Sequence, residues 1–257
     1  ELWGLWNILL KILPSCPFFL VLVEFLFKSD CLMEEVKVLN FWPSPFGMRV
    51  RIGLEEKGVK YEYQEENIMV NKSDLLLRMN PVYKKIPVII HNGNPICESL
   101  IILQYIDEAW PASQPFLPSN PYDGALARFW ADFVDKKIFD AGSRIIRSKG
   151  EAQEEAKQDM VENLEHFEGA LKQMSKGGPY FGGEEFGFLD IALIPFVPWF
   201  HTHEIIGNFK LPFETRFPLL HAWVTKCMER ESVKKIVPTP ERLLEFALQL
   251  RKKFVVD

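Results

Sequence analysis

No block of basic residues is present: 30 lysines and arginines stand against 35 acidic residues, for a net charge of −5 over 257 residues. That balance argues against nucleic-acid binding, which shows as a basic excess facing the phosphates. Cysteine is scarce. Cys16, Cys31, Cys97 and Cys227 form no Cys-x-x-Cys pair and no zinc-type spacing, which argues against a disulfide framework, a metal knot or a dithiol redox centre. A reducing, cytoplasmic compartment fits this usage. Histidine is nearly as sparse, and His201 and His203 have no third ligand candidate at useful spacing. We therefore expect no metal site, and expect the pair to cap or line a helix surface. No internal repeat is visible. A long uninterrupted apolar run is also missing, because residues 8–27 are broken by Lys11, Pro14, Pro17 and Glu24. Two charges and two prolines make a poor membrane span, and the charged n-region and small-residue cleavage site of a signal peptide are absent. With Met33 just beyond, residues 1–32 are expected to be a non-native or disordered apolar extension, without membrane association.

What is present is a soluble, globular composition, 47% apolar and 25% charged, in a chain long enough for one large or two ordinary domains. Residues 36–41 read as a strand, 46–57 as a helix closed by Gly58, and 61–64 as a second strand. That βαβ unit makes its strands parallel neighbours. Residues 73–79 read as a short helix ended by Asn80-Pro81, 87–91 as a strand, and His91-Asn92-Gly93-Asn94 as a turn into a last strand at 95–97. A helix over 99–108 completes the order β-α-β-α-β-β-α. Four prolines, at 111, 115, 118 and 121, mark a linker. Beyond it apolar residues recur at helical spacing, with an exposed helix at 151–174, a buried one at 189–200 that Pro195 and Pro198 would kink or shorten, and last helices at 217–230 and 240–253. The expected architecture is an α/β thioredoxin-like N-terminal domain (33–112), a linker (113–122) and an all-α helical C-terminal domain (123–257).

Ser44 lies where the first strand turns into the first helix, with Pro45 at a first helical position. A serine there commonly caps the helix by accepting from an orphan backbone N–H. The same hydroxyl, beside the positive end of the helix, could donate to a bound thiolate or phosphate. No histidine is near in sequence to act as its base, which weakens a hydrolase reading.

The segments Trp42-Pro43-Ser44-Pro45-Phe46-Gly47-Met48-Arg49-Val50-Arg51, Asn80-Pro81-Val82-Tyr83-Lys84-Lys85-Ile86-Pro87-Val88, Pro95-Ile96-Cys97-Glu98-Ser99-Leu100, Phe129-Trp130-Ala131-Asp132-Phe133-Val134-Asp135-Lys136-Lys137 and Gly187-Phe188-Leu189-Asp190-Ile191-Ala192-Leu193 stand in this order. Together they resemble the plant tau-class glutathione transferases from Met33 to nearly the C-terminus. The resemblance implies conjugation of glutathione to apolar electrophiles, in detoxification and stress response. It implies that Ser44 donates its hydroxyl to the sulfur of bound glutathione. Ile86 and Pro87 would form a cis-proline turn pairing with the peptide part, Glu98 would face the ammonium, and Ser99 would hold a carboxylate at a helix start. Lys72 and Lys85 would meet the glycine carboxylate, although segment 67–70 is one residue longer than the usual connection. Phe41, Trp42, Phe46, Phe139, Ser143 and Trp199 match the electrophile site, with Phe139 at a frequent tyrosine and Ser143 at a larger basic residue. Asp190 with Gly187 resembles the cap of the buried helix. Arg49 and Arg51 are treated as structural, either paired with acidic residues of the second domain or solvated. The resemblance further implies a homodimer, no cofactor beyond glutathione as co-substrate, and a compatible glutathione peroxidase side activity. The alternative is a ligandin that binds apolar metabolites without turnover.

Overall fold

A computed structural model of the chain describes residues 35–255, so the expected extension at 1–32 lies outside the described residues. Strand β1 (Val36–Asn40) pairs parallel with β2 (Glu62–Glu65) and antiparallel with β3 (Val88–His91), which pairs antiparallel with β4 (Asn94–Cys97). The sheet order is β2-β1-β3-β4. Strand alternation sends Val36, Val38 and Ile89 into one buried cluster and Leu39 and Val88 into another. Helices α1 (Pro45–Glu56) and α3 (Ser99–Ala109) cover the first face, and Leu76 of α2 (Asp74–Met79) packs on the second. The turn between β3 and β4 is made by Asn92 (φ 50°) and Gly93 (φ 80°), both left-handed as a tight hairpin demands. Pro95, which has no N–H to give, sits on the edge strand β4.

Residues 110–120 form turns and bends, fastened to the end of α3 by Asp107. Its Oδ1 accepts from Lys57 Nζ and Phe116 N, both at 2.8 Å, and its Oδ2 from Leu117 N at 3.1 Å. The helical part follows: α4 (Pro121–Phe133), a π-helical turn (Val134–Ile138), α5 (Phe139–Arg147), α6 (Glu151–Met174), α7 (Phe188–Leu193), a 3-10 turn (Ile194–Phe196), α8 (Val197–Gly207), α9 (Phe213–Arg216), α10 (Pro218–Met228), α11 (Glu231–Ile236) and α12 (Pro240–Arg251). On α6 the buried Ala156, Met160, Leu164, Phe167 and Leu171 make the narrow apolar stripe its spacing predicts.

Three expectations change here. The helix expected over 189–200 is three pieces. Pro195 falls in the 3-10 turn and Pro198 in the first turn of α8, where its missing N–H costs nothing, and α8 runs on to Gly207. The helix expected over 217–230 begins at Pro218, because Phe217 leaves helical geometry (φ −127°, ψ 54°), and short helices precede and follow it. His203 is also not on a helix surface: it is buried at 5% exposure, on the face of α8 turned toward Gly142 of α5.

Asp190 organises the core of the helical part. Its Oδ2 accepts from Gly187 N at 2.9 Å, and its Oδ1 from Phe181 N at 3.1 Å and Trp223 Nε1 at 2.7 Å. Burial pushes its carboxyl up to about 6, against the pull of those three hydrogen bonds.

Candidate functional site

Ser44 occupies the N-cap of α1 in extended geometry, with Pro45 behind it. Its Oγ accepts from Gly47 N at 3.3 Å, and a hydroxyl that accepts keeps its own proton free to donate elsewhere. No acidic residue lies in the first turn of α1, so the helix presents an uncompensated positive end. Gly47 is needed for this seat: a Cβ there would run into the side-chain amide of Asn40, fully buried at the end of β1.

Strand register gathers the other expected residues around that end. Leu39 pairs with Val88 and Val88 with Cys97, so the chain entering β3 (Lys85, Ile86, Pro87), the chain leaving β4 (Glu98, Ser99) and the loop from β1 to Ser44 share one edge of the sheet. Asn40 pairs with Glu65, which brings the loop after β2 to the same end. The Ile86–Pro87 bond is cis. Asn80 braces the approach to it, giving Nδ2 to Lys85 O at 2.9 Å and taking Tyr83 N on Oδ1 at 3.1 Å. Glu98 has φ 70°, left-handed for a non-glycine residue, a conformation that costs on the order of 1–3 kcal/mol and clusters at binding sites. Its side chain is exposed, whereas Ser99, opening α3, is buried. Like α1, α3 has no acidic residue in its first turn. Lys72, half-buried, precedes Ser73, whose N and Oγ donate to the buried carboxylate of Glu66 at 3.1 and 2.6 Å. Glu66 in turn gives its N to Asn40 O at 2.6 Å. It thus ties the Lys72 loop to the strand that leads to Ser44, a role that sequence spacing did not reveal.

Of the two alternatives the sequence leaves for Arg49, pairing with an acidic residue of the helical part is the one the structure shows. From α1, its Nη1 donates to Ser99 Oγ at 3.1 Å and its Nε to Ala192 O at 2.7 Å, while Nη2 forms an ion pair with Asp135 Oδ1 at 2.6 Å. Asp135 lies on the π-helical turn, a local widening that often marks functional positions. The guanidinium also stands over the rings of Phe46 and Phe196, at 5.3 and 5.1 Å. Its hydroxyl partner Ser99, accepting from Arg49, keeps a proton to offer a ligand carboxylate. Arg51 takes no partner in the helical part and stands over the Tyr63 ring.

The electrophile candidates divide. Phe139, Ser143 and Trp199 line a cavity of about 90 Å³ together with Pro45, Phe196 and His203. Phe46 adjoins it, edge-on to Phe139 at 4.9 Å. Phe41 and Trp42 are not on its wall. They pack edge-on against Phe246 of α12, at 5.5 and 5.7 Å, with Trp199 on the same ring at 6.3 Å. Phe246, like Glu66, is a residue that sequence reasoning missed. The apolar spacing of Leu243, Phe246 and Leu250 marks a helix face, but not which loop that face covers.

Residues 34–108 match the family description "Glutathione S-transferase, N-terminal domain" and residues 150–226 match "Glutathione S-transferase, C-terminal domain". The chain belongs to the glutathione S-transferase family. It is 55% identical over 225 residues to the probable glutathione S-transferase parC of Nicotiana tabacum, covering 87% of this chain and 99% of that one. It is 54% identical over 224 residues to glutathione S-transferase U19 of Arabidopsis thaliana, with the same coverage of 87% and 99%. Among solved structures, the tau-class glutathione S-transferase of mango, Mangifera indica, is 46% identical and superposes with a TM-score of 0.81, over 84% of this chain and 98% of that one. Rice GST1, solved in complex with glutathione, is 46% identical with a TM-score of 0.80, over 87% and 99%. Within the family, the plant tau class is where the likeness lies.

Proposed function

We propose that this chain is a glutathione transferase that holds glutathione as its thiolate and presents it to apolar electrophiles. The observation that carries this reading is the meeting, at one edge of the sheet, of two helix N-termini without first-turn acids, α1 at Ser44 and α3 at Ser99, beside an apolar cavity with Pro45 on its wall. In this reading the hydroxyl of Ser44 and the positive end of α1 stabilise the sulfur anion after its proton leaves to water. Ser99 and the start of α3 take the γ-glutamyl carboxylate, and Glu98 takes the ammonium. The backbone at Ile86 and Pro87 pairs with the peptide, and Lys72 and Lys85 attract the glycine carboxylate. The thiolate then attacks the electrophilic carbon and the leaving group departs with the bonding pair, aided by proximity.

The same thiolate supports reduction of an organic hydroperoxide as a side activity, two thiols yielding one disulfide, an alcohol and water. A homodimer and a cytoplasmic location belong to this proposal by likeness to the family.

The test is conjugation of glutathione to chlorodinitrobenzene by the wild type and by Ser44→Ala. The expected outcome is turnover by the wild type and a loss of about a hundredfold in kcat/KM in the variant. Binding of glutathione without turnover by the wild type would instead favour a carrier.

A further inference from the structure

Trp42 stands in the turn that presents Ser44. The turn is closed by Ser44 N, which donates to Phe41 O at 2.9 Å, and Pro43 and Pro45 fix φ on either side of Ser44. The backbone between Trp42 and Ser44 therefore has little rotation with which to absorb a displacement at Trp42. Two parts of the chain far apart in sequence hold that residue. Its N–H donates to Oε1 of Glu65, the last residue of β2, at 3.1 Å. The other oxygen of that carboxylate accepts from the Tyr63 hydroxyl, which burial and the carboxylate push up, so that it stays a donor. Arg51 stands over the Tyr63 ring at 4.6 Å. The indole ring is held by α12. The Arg242 guanidinium lies over it at 4.1 Å, and Phe246, one helical turn on, meets it edge-on at 5.7 Å. This helix is itself firmly seated: Leu243 and Ala247 are fully buried in a cluster with Ile146 and Trp199. At its far end Arg251 Nη1 donates to Ile146 O at 2.7 Å and to Ser148 O at 3.0 Å, where α5 finishes.

We propose that Trp42 is a positioning residue: clamped by Glu65 of β2 and by Arg242 and Phe246 of α12, it fixes the turn that carries Ser44, so that the last helix of the chain governs how well the Ser44 hydroxyl stabilises the thiolate. The proposal rests on the transferase reading for the thiolate itself. A hydrogen bond to an anion weakens steeply as its angle opens, and a working donor has to be kept within about 0.5 Å of its place by the residues packed behind it. Ser44 has only the 3.3 Å bond from Gly47 N on its own oxygen, so the turn supplies the rest of its placement. Contact with the electrophile, the role the resemblance gives Trp42, predicts a different result. A contact residue changes which electrophile is preferred and leaves the bound thiol alone. A positioning residue changes the thiol and leaves the preference alone.

The experiment follows the thiol of bound glutathione by thiolate absorbance across pH, without electrophile, in the wild type, Trp42→Ala, Arg242→Gln and Arg242→Lys. It then compares kcat/KM for chlorodinitrobenzene and for benzyl chloride in the same proteins. Trp42→Ala is expected to raise the pKa of the bound thiol by about half a unit or more, roughly a threefold loss of thiolate at a fixed pH below it. Arg242→Gln, at an exposed site that spares the buried face of α12, moves the thiol in the same direction. Arg242→Lys, which keeps a cation for the ring, returns it toward the wild type. Both electrophiles lose rate together, so the ratio between them holds. A thiol as low in Trp42→Ala and Arg242→Gln as in the wild type, or an electrophile ratio that changes while the thiol stays put, overturns the clamp and leaves the transferase reading standing. Should Trp42→Ala fail to fold, Arg242→Gln decides alone. A wild type that binds glutathione with the titration of the free thiol and conjugates neither electrophile brings down the transferase reading, and the clamp with it.

Discussion

Arg49 Nη2 lies 2.6 Å from Asp135 Oδ1, with the guanidinium fully buried and the carboxylate about a third exposed. Through this pair the helix that begins at Ser44 is locked to the helical part of the molecule. The same guanidinium supports Ser99 Oγ and Ala192 O. Removing it takes a donor from three polar groups at once. Arg49→Leu should destabilise the fold by about 3 kcal/mol, read as a lowered Tm, and should also raise the KM for glutathione because Ser99 loses its support. Arg49→Lys should rescue little, since an ammonium cannot serve three partners set in a fork. A variant with a normal Tm and normal KM would contradict this account.

Asp190 gives a purely structural prediction. Asp190→Ala strands Phe181 N, Gly187 N and Trp223 Nε1 together, so a loss of about 3–5 kcal/mol is expected. Thermal unfolding should show it, while KM for both substrates in the surviving folded protein should hold.

His203 sets a slope in acid stability. Its folded pKa is lowered from 6.5 to about 3 by burial, so below 6.5 the unfolded chain takes up a proton that the native state refuses. Its stabilising share is therefore whole above that value and is lost as the pH falls toward 3. Asp190, raised from 3.8 to about 6, works in the opposite sense, since between those values the native state binds the extra proton. His203→Leu removes only the first effect. Urea unfolding should then show an acid limb flatter by up to about 1.4 kcal/mol per pH unit. An identical limb in wild type and variant would place the imidazole in contact with water.

The parts of the fold written in local chemistry were legible in the sequence. Ser44-Pro45 announces a helix start, Asn92-Gly93 a left-handed turn, and the narrow apolar stripe of residues 151–174 a largely exposed helix. The topology around them followed from the βαβ crossover. What escaped was set by residues far apart in the chain. Arg49 meets partners 50 and 143 residues away, and nothing in its helical spacing distinguishes it from the surface-facing Arg51. Apart from Asp190, the segment from Leu189 to Phe200 is apolar on every side, so periodicity could not show that Pro195 would be absorbed in a 3-10 turn or orient His203 just beyond it. That Phe41 and Trp42 pack edge-on against Phe246, over 200 positions later in the chain, could not be read from their own surroundings in the sequence.

The account turns on Ser44 stabilising a thiolate, and the most direct measurement is the titration of the thiol of bound glutathione, followed by thiolate ultraviolet absorbance across pH. In the wild type it should titrate well below free glutathione. In Ser44→Ala it should move back up by at least about one unit, a loss of roughly 1.4 kcal/mol of anion stabilisation, with glutathione still bound. A bound thiol that titrates like the free one in the wild type, or equally low in both proteins, would contradict the role given to Ser44.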